Sequence, residues 1–120
     1  MGGPSSDPEK DFNGRLLKSI NETLSDLLGQ SVLEALHKHL KELHDVTPDE
    51  VPHRLDTLFE IFEYTFGVAA TKTIGRAIAR NFYARIGLQF VGIENYGLQD
   101  YVEQAKRTIT IKRSTPPSFR

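Results

Sequence analysis

Apolar residues recur at Phe12, Leu16, Leu17, Ile20, Leu24, Leu27 and Leu28, the three-and-four spacing that lines one face of an α-helix. This pattern predicts a helix from Asp11, and Gly29 is placed to take the left-handed conformation that stops it. Ser31 with Glu34 three residues on has the form of a reciprocal N-terminal cap, so a second helix is expected there. Its stripe is Leu33, Leu36, Leu40 and Leu43. Two amphipathic helices joined by so few residues are expected to form an antiparallel hairpin.

Thr47-Pro48-Asp49-Glu50 is a second start signal: a hydroxyl cap, proline where its missing N–H costs nothing, and acid in the first turn. Pro52 leaves two outcomes, a single turn followed by a fresh start near His53 or one helix that tolerates the proline. A third helix carries Leu55, Leu58, Phe59, Phe62 and Phe66 on one stripe. Beyond Gly67 the stripe changes phase. Measured from Leu55, the first group centres near roughly 0° and Ile74, Ala77 and Ile78 near roughly 100°, so a break at Phe66-Gly67 is expected, glycine being the residue that permits it. Phe59, Phe62, Phe66 and Gly67 are thus the expected core and hinge.

The fourth helix is expected from Ala69 to Arg85, ending at Gly87, with Leu88 to Tyr96 as a connector. Leu98, Tyr101, Val102 and Ala105 predict a short fifth helix. Thr108-Ile109-Thr110-Ile111 alternates with period two, but a lone strand needs a partner and only 87–93 offers a weak one, so an extended tail is expected. Residues 1–10 and 110–120 are rich in Gly, Pro, Ser and charge, and are read as disordered polar termini around one domain over 11–109. The expectation is an all-α compact bundle of about five helices.

Composition changes this picture by exclusion. Among 120 residues, 15 Lys and Arg stand against 16 Asp and Glu, so no global field draws nucleic acid and an anion site would need a local cluster. The absence of cysteine removes disulfides, thiolate metal sites and cysteine nucleophiles, and fits a reducing cytoplasm. Neither a signal peptide nor an apolar run of about 18 residues is present, which predicts a cytoplasmic chain without a membrane partner.

Few residues offer chemistry. Glu34 and His37 make one Glu-x-x-His pair, whereas a di-metal bundle site needs two such pairs and two further glutamates. Glu60 with Glu63 is an incomplete substitute, so no metal is expected. His37, His39 and His44 fall on the flanks of the second helix, where an amphipathic ring covers apolar surface; a pH-sensitive interface is the sharper alternative. Lys72, Arg76 and Arg80, spaced by four, form a cationic ridge suited to phosphate, or simply a solvated face. Asn81 and Arg85 project on the side of Ile74 and Ile78, so each satisfies a neighbour or turns toward a cavity, ligand or interface. Glu60, Glu63 and Tyr64 supply acid, base and hydroxyl types without any sign of opposed environments. With no phosphate loop, nucleophile elbow or ordered triad, no catalytic residue, cofactor or enzyme activity is expected.

The run IFEYTFGVAATKTIGRAIARNFYARIGLQF followed by NYGLQDYVEQAKR resembles a family of small helical output domains from ammonia-oxidising archaea, found alone or attached to signalling modules. The resemblance rests on Phe66-Gly67 with small residues after it, Ile74, Gly87-Leu88, Leu98 and Asp100-Tyr101-Val102, and covers about residues 14 to 107. It implies a domain that passes on a signal through contacts with a protein partner or itself, and brings no catalytic residues. The chain departs from the attached forms in having no receiver, kinase or sensor segment. Two alternatives stand beside it: a nucleic-acid-binding regulator using Lys72, Arg76 and Arg80, and a small-ligand sensor with a bundle cavity near Asn81.

Overall fold

The computed structural model describes residues 8–114, with side chains over 9–110. The helices are α1 (Pro8–Leu28), α2 (Gln30–His44), a 3₁₀ helix (Pro48–His53), α3 (Leu55–Phe66), α4 (Val68–Arg85) and α5 (Leu98–Ser114). Among the described residues there is no strand, and the architecture is all-α.

Two joints organise it. Gly29 alone separates α1 from α2, with φ 96° and ψ 156°, and Gly67 alone separates α3 from α4, with φ 90° and ψ 166°. This region of backbone space is essentially open to glycine only, because a Cβ meets its own carbonyl there. Each glycine ends one helix and starts the next: the Gly67 N–H donates to the Glu63 carbonyl at 2.9 Å, and the Gly67 carbonyl accepts from Thr71 N–H at 3.1 Å. Thr71 Oγ1 adds a bond to the same carbonyl at 2.7 Å. The predicted break is therefore a sharp reversal between two helices. The reciprocal cap expected of Ser31 and Glu34 is not used, since α2 starts directly from Gly29 with no side-chain cap, and Glu34 instead accepts from Gln30 Nε2 at 3.3 Å. A one-residue joint leaves Ser31 already inside the first turn.

Thr47 opens the 3₁₀ helix as expected. Glu50 Oε1 accepts the Thr47 N–H at 2.9 Å and the Thr47 hydroxyl at 3.0 Å, and the Thr47 backbone bond holds its carboxyl below the usual value. Pro52 decides between the two outcomes left open, because α3 makes a fresh start at Leu55 once the proline has passed. Val51 is buried on this turn and joins the core.

α1 packs against α2, the 3₁₀ helix and α4. Its Leu16, Ile20 and Leu24 are fully covered, each contributing about 1.5–3 kcal/mol of burial. Phe12 meets the Phe82 ring edge-on at 5.1 Å between centroids. α3 folds back on α4, where a Cβ on Gly75 would come within 2.9 Å of the Phe59 ring; the glycine lets that ring lie against the α4 backbone. Of the expected hinge aromatics, Phe62 is buried and Phe59 half-buried, but Phe66 is 39% exposed. It sits at the tip of the α3–α4 reversal, beyond the reach of the elements that cover the rest of the stripe. Leu43, at the free end of α2, is exposed for the same reason, and so is Leu27 beside the first joint.

At the other end α4 closes with Gly87 at φ 78°, with Leu88 N–H returning to the Tyr83 carbonyl at 2.9 Å and Gly87 N–H to that of Ala84 at 3.3 Å, the pairing of a Schellman cap. The connector then wraps Tyr101. Its buried hydroxyl accepts from Ile93 N–H at 2.8 Å and donates to the Ile93 carbonyl at 3.2 Å, and its ring meets Tyr83, Phe90 and Tyr96. Tyr83 donates to the Tyr101 carbonyl at 2.7 Å, and burial raises its own pKa, with Tyr101 and Tyr96 adding to the shift.

The expected termini need correction. Residues 8–10 are the first residues of α1, with Pro8 in the first turn, where proline is tolerated. Thr108 to Ser114 continue α5: Thr108 Oγ1 bonds back to the Gln104 carbonyl at 2.9 Å and Ile109 packs on the core. A period-two pattern with no strand beside it yields to the helix already under way. The rest of the expected tails, 1–7 and 115–120, lies outside the described residues.

Gly67 and Gly14 provide paired tests. Nothing lies within 4 Å of a Cβ at either site, so only backbone conformation distinguishes them. Gly67→Ala is expected to cost about 1–3 kcal/mol, whereas Gly14→Ala, inside α1, is expected to stabilise by about 0.5–1 kcal/mol. Thermal melts should move in opposite directions; equal shifts would contradict the conformational account of the joint.

Candidate functional site

Asn81 and Arg85 do turn toward another element, and that element is α1. Asn81 Nδ2 donates to Glu22 Oε1 at 2.9 Å. Arg85 forms an ion pair with the same carboxylate, while its Nε donates to Ser19 Oγ at 3.1 Å. Ser19 is fully buried, and Arg15 Nη1 reaches the Arg85 carbonyl at 3.2 Å. These residues cross-link α1 to α4. Glu22, on the polar side of α1, was the missing partner: nothing local to residue 22 signals that a helix begun almost fifty residues later will meet it.

Lys72, Arg76 and Arg80 are exposed along α4, and among the described residues none of them has an ion-pair partner. The guanidinium of Arg80 stands 5.4 Å from the centroid of Phe90, and Arg76 lies against the backbone of Gly92. The ridge thus runs beside the 87–97 connector, with one arginine stacked on an aromatic face. It can meet an anion, but part of it also covers the connector.

The Glu34–His37 pair is divided between different neighbours. His37 Nε2 lies 2.8 Å from Asn21 Oδ1 across the α1–α2 hairpin, while Glu34 faces Gln30. Among the described residues no group of three His, Asp or Glu is arranged to hold a metal. His39 and His44 lie 5.6 Å apart between ring centroids, tilted by 51°, on the exposed end of α2. Glu60, Glu63 and Tyr64 are all exposed, with no enclosed environment that would separate an acid from a base.

Two features were not foreseen from the sequence. One is the uncovered tip at Gly67: residues 63–70 are exposed without interruption, and Tyr64 is 93% and Val68 63% accessible. The other is an open cleft of about 430 Å³ between α1, the 3₁₀ helix with the first residue of α3, and α5. The amphipathic spacing of α3 hid the first, because Phe66 belongs to the same stripe as Phe62. The second is assembled from three segments far apart in the chain. Comparison with protein-family models, curated proteins and solved structures finds no match to this chain.

Two outcomes follow from these contacts. Glu22→Ala and Arg85→Ala are each expected to destabilise by about 0.5–1.5 kcal/mol, discounted for the exposure of the pair. In a double-mutant cycle the combined loss should be smaller than the sum, and strict additivity would mean that the pair contributes nothing. His37 supplies a pH test. Burial lowers its pKa from 6.5, and Nδ1 is buried with no hydrogen-bond partner among the described residues, so a second ring proton would find no acceptor among them. The unfolded state then binds protons first, and stability falls as pH drops through about 6.5, levelling off below the folded pKa. His37→Gln should remove that component of the difference between urea melts at pH 7.5 and 5.5.

Proposed function

We propose that this chain is a non-enzymatic interaction domain that acts by docking a protein on the tip of the α3–α4 hairpin. The observation that carries the reading is the exposed run 63–70, in which Tyr64, Phe66 and Val68 present large apolar groups beside Ala69 and Ala70. Exposed apolar side chains at a helix end, a tyrosine among them, are of the kind that protein interfaces are enriched in. The tip is held at a fixed angle by Gly67, so binding need not order it first. The resemblance of residues 14–107 to archaeal output domains supports the same reading, in which a signal is passed on by contact in the cytoplasm. No helix among the described residues is long and apolar enough to cross a membrane.

The exposed row Lys72, Arg76 and Arg80 favours a second reading, contact with nucleic acid. The two make different demands. With p-benzoylphenylalanine at Tyr64, irradiation in the native cell is expected to yield a protein adduct of discrete mass, either a homodimer or a heterologous complex, that is absent when the probe replaces Arg107. Val68→Ser should abolish the adduct while changing stability little, as that side chain is 63% accessible. No adduct at position 64 would overturn the proposal. Salt-sensitive binding to mixed-sequence DNA or RNA, lost in Lys72→Ala/Arg76→Ala/Arg80→Ala, would establish the second reading instead.

A further inference from the structure

The two legs of the α3–α4 hairpin carry opposite charge up to its tip. On α3 the exposed carboxylates of Glu60 and Glu63 lead to Tyr64, and on α4 the exposed Lys72 and Arg76 follow Val68 at four-residue spacing. The legs pack side by side, yet among the described residues none of these four charges has an ion-pair partner. Nor is the charge at the tip of the kind that helix ends favour, which is acid at the start and base at the finish. Glu63 stands in the last turn of α3, where there is no base, and the first turn of α4 holds no acid. Gly67, the N-cap of α4, has no side chain to offer the N–H groups of that first turn.

We infer that the partner docked on this tip is a second copy of the same chain, an inference that rests on the tip being a protein-docking surface. An isologous two-fold contact that sets α3 of each copy against α4 of the other brings acid to base twice. Glu63 is four residues before Gly67 and Lys72 five after it, so at about 1.5 Å per residue they stand at nearly equal height from the joint. Glu60 and Arg76, seven and nine residues from Gly67, differ in height by about 3 Å, which side chains of this length span. The same pairing sets the negative C-terminal end of α3 against the positive N-terminal end of α4 across the interface. Tyr64, Phe66 and Val68 of both copies then meet between the charged pairs, an apolar centre with a polar rim. A partner of one sign would be repelled by one leg, whereas a second copy presents both signs at matching heights. Setting α3 on α3 would oppose like charges, so the charges also select the pairing.

The test is sedimentation equilibrium of the purified chain and of charge-reversed variants. A contact confined to a hairpin tip predicts a reversible dimer with a Kd of about 10–100 μM at low salt, weakening as salt is added. Glu60→Lys/Glu63→Lys makes both legs basic and Lys72→Glu/Arg76→Glu makes both acidic, and each variant alone should dimerise at least about tenfold more weakly. Mixed in equal amounts, the two should form a heterodimer, and a chain carrying all four substitutions should dimerise again. These side chains are exposed, so circular dichroism should show unchanged helix content throughout. The inference is overturned by a chain that stays monomeric up to about 1 mM, by a dimer that survives either reversal, or by a mixture that forms no heterodimer. An adduct from position 64 found only at a heterologous mass also overturns it and leaves the docking surface standing, whereas the absence of any adduct removes both.

Discussion

Everything in this fold depends on two glycines that each do the work of a loop. Because Gly29 and Gly67 are the sole residues between their helices, neither hairpin has slack with which to adjust its register. Asn21 meets His37 across the first, and Phe59 meets Gly75 across the second; in both cases the partners stand at equal distance in sequence from the glycine. Register is therefore set by the chain itself, and side-chain packing has only to accept it. The cost is a backbone conformation closed to other residues.

The two hairpins are joined by interactions of different kinds. Apolar burial of Phe12, Leu16, Ile20 and Leu24 against the body of the bundle provides the bulk of the stability, while the Glu22–Arg85–Asn81–Ser19 contacts fix how α1 lies on α4. A polar set at the edge of a helix interface adds little net free energy but penalises displaced arrangements, since each would leave charge or amide unpaired. On the far side of α4, Tyr101 performs the corresponding task for the connector, holding Ile93 by both backbone groups. A connector without regular structure is thus held by one buried phenol and the rings around it.

The same economy explains the surface to which function is ascribed. A one-residue reversal brings a helix end to the surface with nothing to fold over it, so the last apolar turn of α3 and the first of α4 stay exposed. The exposed tip adds little to folding stability and is therefore available for binding.

Much of this was legible in the chain. The periodicity of Leu16, Ile20 and Leu24, the phase change at Gly67, the start signal at Thr47 and the end of α4 at Gly87 depend on local geometry, and local geometry is written in neighbouring residues. The function of Ser31, the helical state of Thr108 to Ser114, and the exposure of Phe66 and Leu43 were not legible, because each depends on whether something distant arrives to pair with or cover the residue. Asn81 and Arg85 mark the boundary: their orientation followed from the helical wheel, but that Glu22 and Ser19 would receive them did not. The sequence alone determined most of the helices and their breaks, since propensity and periodicity act over a few residues. Only the tertiary structure decided which apolar residues remain in water and which charges stand together, because burial and proximity belong to the assembled chain.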